Sequence, residues 1–186
     1  MAEPIFFPDL IACNQLTEKC SGWLWLPGMR FRETACWWKP SVRATPHEGV
    51  DLLLYRDRQG ERCRLPPEAR VPAMFPGTVA GIWTDFLAQT LLLIHQQQDG
   101  AGWRLATLYA HVQPLVASGR TVAAGEVVAR LAPVGASRPG APPSHLHLSM
   151  AWVHPDFVPA SFSWRQLWRN PRVRLVDPLS WPSVGE

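Results

Sequence analysis

Six histidines are spread along the 186 residues, and four of them stand in company that could do chemistry. His145 and His147 bracket Leu146 within Ser144-His145-Leu146-His147-Leu148. On a strand, residues two apart share a face, so both imidazoles would look into one site while Leu146 points into the core. His47 and Asp51 stand four apart in Pro46-His47-Glu48-Gly49-Val50-Asp51, at the entry to an expected strand. His111 closes the strand-like run 105–110. Imidazole nitrogens and carboxylate oxygens are ligands of hydrolytic zinc, which takes three protein ligands and leaves a fourth position for water. His47, Asp51 and one histidine of the pair would supply that set. The other, with His111, would be left to handle protons, because imidazole titrates in the range to which zinc brings water. Each piece alone is commonplace. An HxH pair is more often two ordinary histidines, Asp51 could cap a turn, and His111 could simply end a strand. The combination, in order and at domain-scale separations, carries the reading.

The elements that must position these residues are short. Apolar runs at 50–55, 77–83, 90–95, 105–111, 127–131 and 146–153 are separated by glycine and proline, which predicts a mainly β domain of sheets and hairpins. Two segments share a local design. Val71-Pro72-Ala73 followed by Gly77-Thr78-Val79, and Gly119 to Val122 followed by Gly125 to Val128, each read as strand, glycine-permitted turn, strand. Lipoyl and biotinyl carrier domains use such hairpins but need a lysine at the tip, and none follows Lys39. One short helix is expected from Ser161 or Ser163 over Trp164 to Trp168, stopping before Pro171 and placing both indoles on one face. Residues 1–40 are irregular in pattern and hold three of the four cysteines.

Composition narrows the class. With 47% hydrophobic and 18% charged residues, the chain can fill a core, which excludes disorder. The apolar run at Leu91 to Ile94 is far short of the ~20 residues that cross a bilayer, so no transmembrane segment is expected. A net charge of +3, carried by 16 arginines and two lysines, is too mild for a nucleic-acid footprint. Cys13, Cys20, Cys36 and Cys63 match no zinc-ribbon or CxxC spacing. They could be free thiols or form disulfides in an oxidising compartment, and we expect at least one disulfide. No basic-then-apolar leader is visible at Met1-Ala2-Glu3-Pro4. Ten tryptophans against two tyrosines are unusual, and many fall at 23–38 and 164–168.

Taken together, His47-x-Gly49-x-Asp51, Tyr109-Ala110-His111 and His145-Leu146-His147 resemble, in type and order, the motifs of lysostaphin-type (LytM-like) zinc metallopeptidases. The segments at 71–79 and 119–128, and the closing Val176-Asp177-Pro178-Leu179-Ser180-Trp181, resemble further parts of that family. The resemblance covers roughly 41–153 and the last dozen residues. It implies an antiparallel β-sheet domain forming a substrate groove, at 41–186, preceded by an N-terminal extension at 1–40 and interrupted by a Trp-rich insertion at about 155–172. It implies that His47, Asp51 and His147 bind Zn2+ and that His111 and His145 are the catalytic histidines. It also implies peptide cross-links of peptidoglycan as substrate and, if a leader was removed, an extracytoplasmic location in the periplasm or cell envelope. The alternative is a non-catalytic or autoinhibited member of the fold, a cell-wall binding module or amidase activator. The extra N-terminal residues leave room for a regulatory protein partner. Several features depart from the pattern. Trp83-Thr84-Asp85-Phe86-Leu87 stands where the family has a glycine-rich turn, the loop at 56–70 is enlarged, and 41–46 offers no assisting tyrosine. His95 reads as structural, His154 as an exposed turn residue, and Glu48 as pointing away to solvent.

Overall fold

The computed structural model describes residues 6–133 and 140–180. Among these residues a helix, α1 (Phe6–Cys13), precedes twelve strands. They are β1 (Cys20–Leu24), β2 (Val50–Leu52), β3 (Leu54–Asp57), β4 (Arg62–Arg64), β5 (Arg70–Pro72), β6 (Gly77–Thr84), β7 (Gln89–Gln98), β8 (Arg104–Pro114), β9 (Thr121–Val122), β10 (Val127–Leu131), β11 (Leu146–Val153) and β12 (Val173–Val176). Nine strands form the main sheet, whose central path is β12-β11-β8-β7-β6-β9, and β1-β3-β4 form a smaller one. Every pairing is antiparallel. The protein is mainly β, as the short runs between turn residues predict.

The central strands are buried on both faces, which explains why β7 is a nearly continuous apolar run rather than an alternating one. On one face Leu91, Leu93, Leu105, Tyr109, Leu146, Leu148 and Met150 pack with Phe7 and Leu10 of α1 and with Leu16. On the other, Leu92, Ile94, Ala106, Leu108, Ala151 and Val153 are covered by Phe157, Phe162 and Trp164 of the insertion. The first forty residues are thus less irregular than their pattern suggests. They contribute α1 and β1, and Asn14 at the end of α1 bonds both the backbone N–H and the carbonyl of Arg70, each at 2.8 Å.

Several local expectations change. The segments at 71–79 and 119–128 do not close hairpins on themselves. They pair with each other: β5 with β10, and β6 with β9. Residues 73–75 between β5 and β6 are buried, so the chain there crosses the core instead of folding back at a surface turn. The expected helix at 164–168 is a 3-10 segment, Trp164–Arg169. With three residues per turn, positions four apart diverge by about 120°, so Trp164 and Trp168 face different partners. The four cysteines are free thiols rather than disulfide-bonded. Cys20 on β1 and Cys63 on β4 lie on opposite sides of β3. Two strand spacings, roughly 9–10 Å, exceed the span of a disulfide. Trp181, the last residue of the closing segment, lies outside the described residues.

Candidate metal centre and groove

The site forms where β11 meets β2 on one side and β8 on the other. His147 is in register with Asp51 across one pairing and with Ala110 across the other. Alternation along β2 and β11 puts Val50, Leu52, Leu146 and Leu148 into the core and turns Asp51 and His147 to the opposite face. β2 ends at Leu52, and the chain changes sheets at Leu53, since β3 pairs with β1 and β4 instead.

The donor atoms of His47, Asp51 and His147 converge within 4.8 Å of one another, and all three residues are buried. His147 Nδ1 lies 2.8 Å from Asp51 Oδ1 and 3.0 Å from His47 Nε2, and His47 Nε2 lies 3.2 Å from Asp51 Oδ1. A tetrahedral zinc with ligands at 2.0–2.1 Å needs donors about 3.3 Å apart, so small outward shifts would seat one. The back of each ligand is engaged. His47 Nδ1 is 3.1 Å from the Arg30 carbonyl, which can only accept, so the proton sits on Nδ1 and Nε2 offers a lone pair. His147 Nε2 is 2.9 Å from Ser149 Oγ. Asp51 Oδ2 receives the Trp37 indole N–H at 2.6 Å and Arg43 at 3.3 Å. The donor set, the crowding of lone pairs and the fixed outer partners fit a zinc ion.

Burial works against ionisation of Asp51, yet the imidazoles of His145 and His47 and the hydrogen bond from His147 hold its carboxyl well below the usual range. Burial also lowers His145, to about 4, against the pull of Asp51, and lowers His147. Both rings are therefore neutral at pH 7. His145 Nδ1 donates to the Pro143 carbonyl at 2.7 Å, leaving Nε2 facing Asp51 Oδ1 at 3.5 Å.

His111 reaches this group through a break in β8. Regular alternation would send it to the same face as Tyr109, which is fully buried in the core. Instead the register between β7 and β8 shifts, Gln89 facing Val112 and Thr90 facing Ala110, so His111 is the extra residue of a bulge. Its φ of +64° turns the ring towards His145, 4.8 Å away between centroids. Asp85, in the β6–β7 turn, clamps the bulge. Its carboxylate accepts the His111 backbone N–H at 2.9 Å and Nδ1–H at 3.1 Å, so Nε2 is left with its lone pair. The same carboxylate accepts the Leu87 and Ala88 amides, both at 2.8 Å, and the Thr90 hydroxyl at 3.0 Å. Burial opposes its charge, but the hydrogen bonds and the His111 ring keep its pKa lowered. Thr90 Oγ1 in turn accepts the indole N–H of Trp164 at 3.1 Å.

All five residues singled out in the sequence therefore meet. Asp51, His111, His145 and His147 line a cavity of about 360 Å³, with His47 buried beneath. Its walls carry Trp38, Phe86 and Trp164, with Arg43, Arg165 and Glu48. Glu48 thus faces the groove, contrary to expectation. Residues 48 and 49 form a bend at the entry to β2, so Glu48 is not in plain extended chain. His95 lies apart, inside a buried chain of hydrogen bonds. Nδ1 is 3.1 Å from the Pro76 carbonyl and Nε2 is 2.9 Å from Thr107 Oγ1, which is 3.1 Å from the Tyr109 hydroxyl. His154 is half-buried against Trp103. Sequence reasoning missed Asp85, Trp37, Arg43 and Ser149. Only Asp85 left a signal, as a carboxylate in the turn that replaces a glycine-rich one.

No family model matches the sequence, and no curated protein matches it. Among solved structures, the chain is similar to the catalytic domain of a mutant of the prophage-encoded protein EnpA from Enterococcus faecalis. Identity is 18% over 83% of this chain and 92% of that one, with a TM-score of 0.46. It is similar to lysostaphin at 19% identity over 80% of this chain and 46% of lysostaphin, TM-score 0.43. It is also similar to LytU at 23% identity over 71% and 80%, TM-score 0.44.

Proposed function

We propose that the protein is a zinc-dependent endopeptidase that hydrolyses peptide cross-links of bacterial peptidoglycan, acting outside the cytoplasm. The observation that carries this reading is the convergence of His47, Asp51 and His147 on one point, with His111 and His145 beside it at the floor of an open groove. In this reading His47 Nε2, Asp51 Oδ1 and His147 Nδ1 hold the ion. Zinc there would supply Lewis acidity, polarising a peptide carbonyl and acidifying water. His111 is the general base. Asp85 fixes its tautomer and stabilises the imidazolium that forms when Nε2 takes a proton, the base-and-orienter logic of hydrolytic triads. The same nitrogen then returns the proton to the departing amine. His145, neutral and tied to Pro143, is the second proton-handling group. Trp38, Phe86 and Trp164 shield the reacting atoms from bulk water and leave the extended substrate room to lie between them. A non-catalytic binding module would not need five intact site residues with their tautomers fixed.

Metal analysis and digestion of defined muropeptides test this. Wild type should take up one zinc, and His47→Ala, Asp51→Ala or His147→Ala should lose it. His111→Ala and His145→Ala should keep zinc but fail to cleave. A wild-type protein that takes up no zinc, or full cleavage by the His111 variant, would sink the assignment.

A further inference from the structure

Two carboxylates anchor the site, and one of them is held from outside the motif-bearing part of the chain. Asp51 is 2% exposed, so the oxygen that does not face the histidines is costly to leave without donors. Among the described residues it has two, the Trp37 indole N–H at 2.6 Å and Arg43 Nη2 at 3.3 Å. Arg43 is itself fixed by the Gly28 and Ala35 carbonyls, at 3.1 and 3.2 Å. The same stretch grips the rest of the His47–Asp51 loop. The Arg30 carbonyl accepts from His47 Nδ1. Backbone bonds run from Asp51 N to Met29 O at 2.9 Å, from His47 N to Glu33 O at 2.9 Å, and from Arg32 N to His47 O at 2.8 Å. Trp37 also stands edge-on to the His145 ring, 5.2 Å between centroids. A removable cover would lie over the groove. This stretch grips the ligands from behind, although Trp38 and Arg43 also reach the groove wall.

We infer that residues 28–43 are a permanent outer shell of the metal site, and that the Trp37 N–H is a positioning group for Asp51 that sets how tightly the ion is held. The inference builds on the zinc reading above. With Oδ2 taken by Trp37 and Arg43, Asp51 offers a single oxygen, Oδ1, in a fixed direction and stays anionic while buried. Removing the indole N–H leaves the longer Arg43 contact alone, free to let the carboxylate swing. Loss of an outer partner of this kind weakens metal affinity by about 10–100-fold.

The test is zinc affinity of the full-length protein, measured by competition with a chromophoric chelator, for wild type, Trp37→Phe and Trp23→Phe. Phenylalanine keeps an aromatic ring against His145 but carries no donor. Trp23 is the internal control, because its indole nitrogen has no hydrogen-bond partner among the described residues. Trp37→Phe should bind zinc about 10–100-fold more weakly, with a metal-free unfolding temperature close to wild type. The visible spectrum of the cobalt-substituted protein should shift as Asp51 reorients. Trp23→Phe should match wild type. If Trp37→Phe lowers the metal-free unfolding temperature, Arg43→Gln, which weakens the second donor to the same oxygen, must lower affinity instead. Equal affinity in both Trp37→Phe and Arg43→Gln, or an equal loss in Trp23→Phe, overturns the inference while leaving the zinc site standing. A wild type that binds no zinc overturns the site itself.

Discussion

At His111 a single residue combines an unfavourable backbone with a chemical task. A left-handed φ of +64° at a non-glycine residue needs surroundings that fix it, and the Asp85 carboxylate grips both the amide and the ring. Asp85→Asn should therefore cut kcat by about 10²–10⁴-fold, with KM little changed and zinc content intact, as steady-state kinetics with parallel metal analysis would read. A drop confined to KM would point to a role in substrate binding. The YxH spacing placed His111 in the site but carried no trace of the bulge, because alternation alone assigns it to the core side with Tyr109. His95 shows the reverse case, a histidine that chemistry left alone. Burial depresses its pKa to about 4, with the Pro76 carbonyl opposing, against an ordinary value of 6.5. The unfolded chain takes up this proton first, so stability is full near neutrality and falls as pH drops from about 6.5 to 4, by on the order of 3 kcal/mol. Urea titrations across that range should show a shallower pH dependence for His95→Gln than for wild type. Parallel curves would mean that other groups set the acid sensitivity.

At the level of elements, the site depends on one close pairing. β2 brings Asp51 against His147 for only three residues before the chain leaves for the smaller sheet. Gly49 makes that approach workable, since a Cβ there would overlap the Leu148 carbonyl and crowd Ser149 Oγ. Gly49→Ala should force β2 away from β11, costing about 1–3 kcal/mol in denaturant unfolding and reducing zinc uptake at equal protein concentration. Normal zinc stoichiometry with unchanged stability would show that β11 can yield. The strands themselves were largely legible, because β7, β8, β10 and β11 are apolar runs bounded by turn residues. Their partners were not. Local pattern at 71–79 and 119–128 reads as two hairpins, and only the burial of residues 73–75 reveals that the segments pair with each other.

Over the whole molecule, the two Trp-rich segments that lie outside the recognisable motifs meet each other beside the site. Phe31 stacks on Trp168 at 5.7 Å, and the Trp168 indole donates to the Pro46 carbonyl at 2.7 Å, next to His47. The extension also carries core, so Leu10→Ala should cost about 2–5 kcal/mol, measurable by urea unfolding, although Leu10 lies far from the motifs in sequence. A cost below 1 kcal/mol would mean that α1 packs loosely. Nothing in the composition of residues 1–40 announced this role. Their contacts are made with residues far along the chain, and no periodicity records such pairings. The tryptophan surplus has a further consequence. Trp37 and Trp164 stand edge-on to His145 and His147, each 5.2 Å from its ring. An ion with visible absorption, such as copper, seated at His47, Asp51 and His147 would quench the emission of both indoles. The protein therefore carries its own optical gauge of site occupancy, readable from intrinsic fluorescence without an added label.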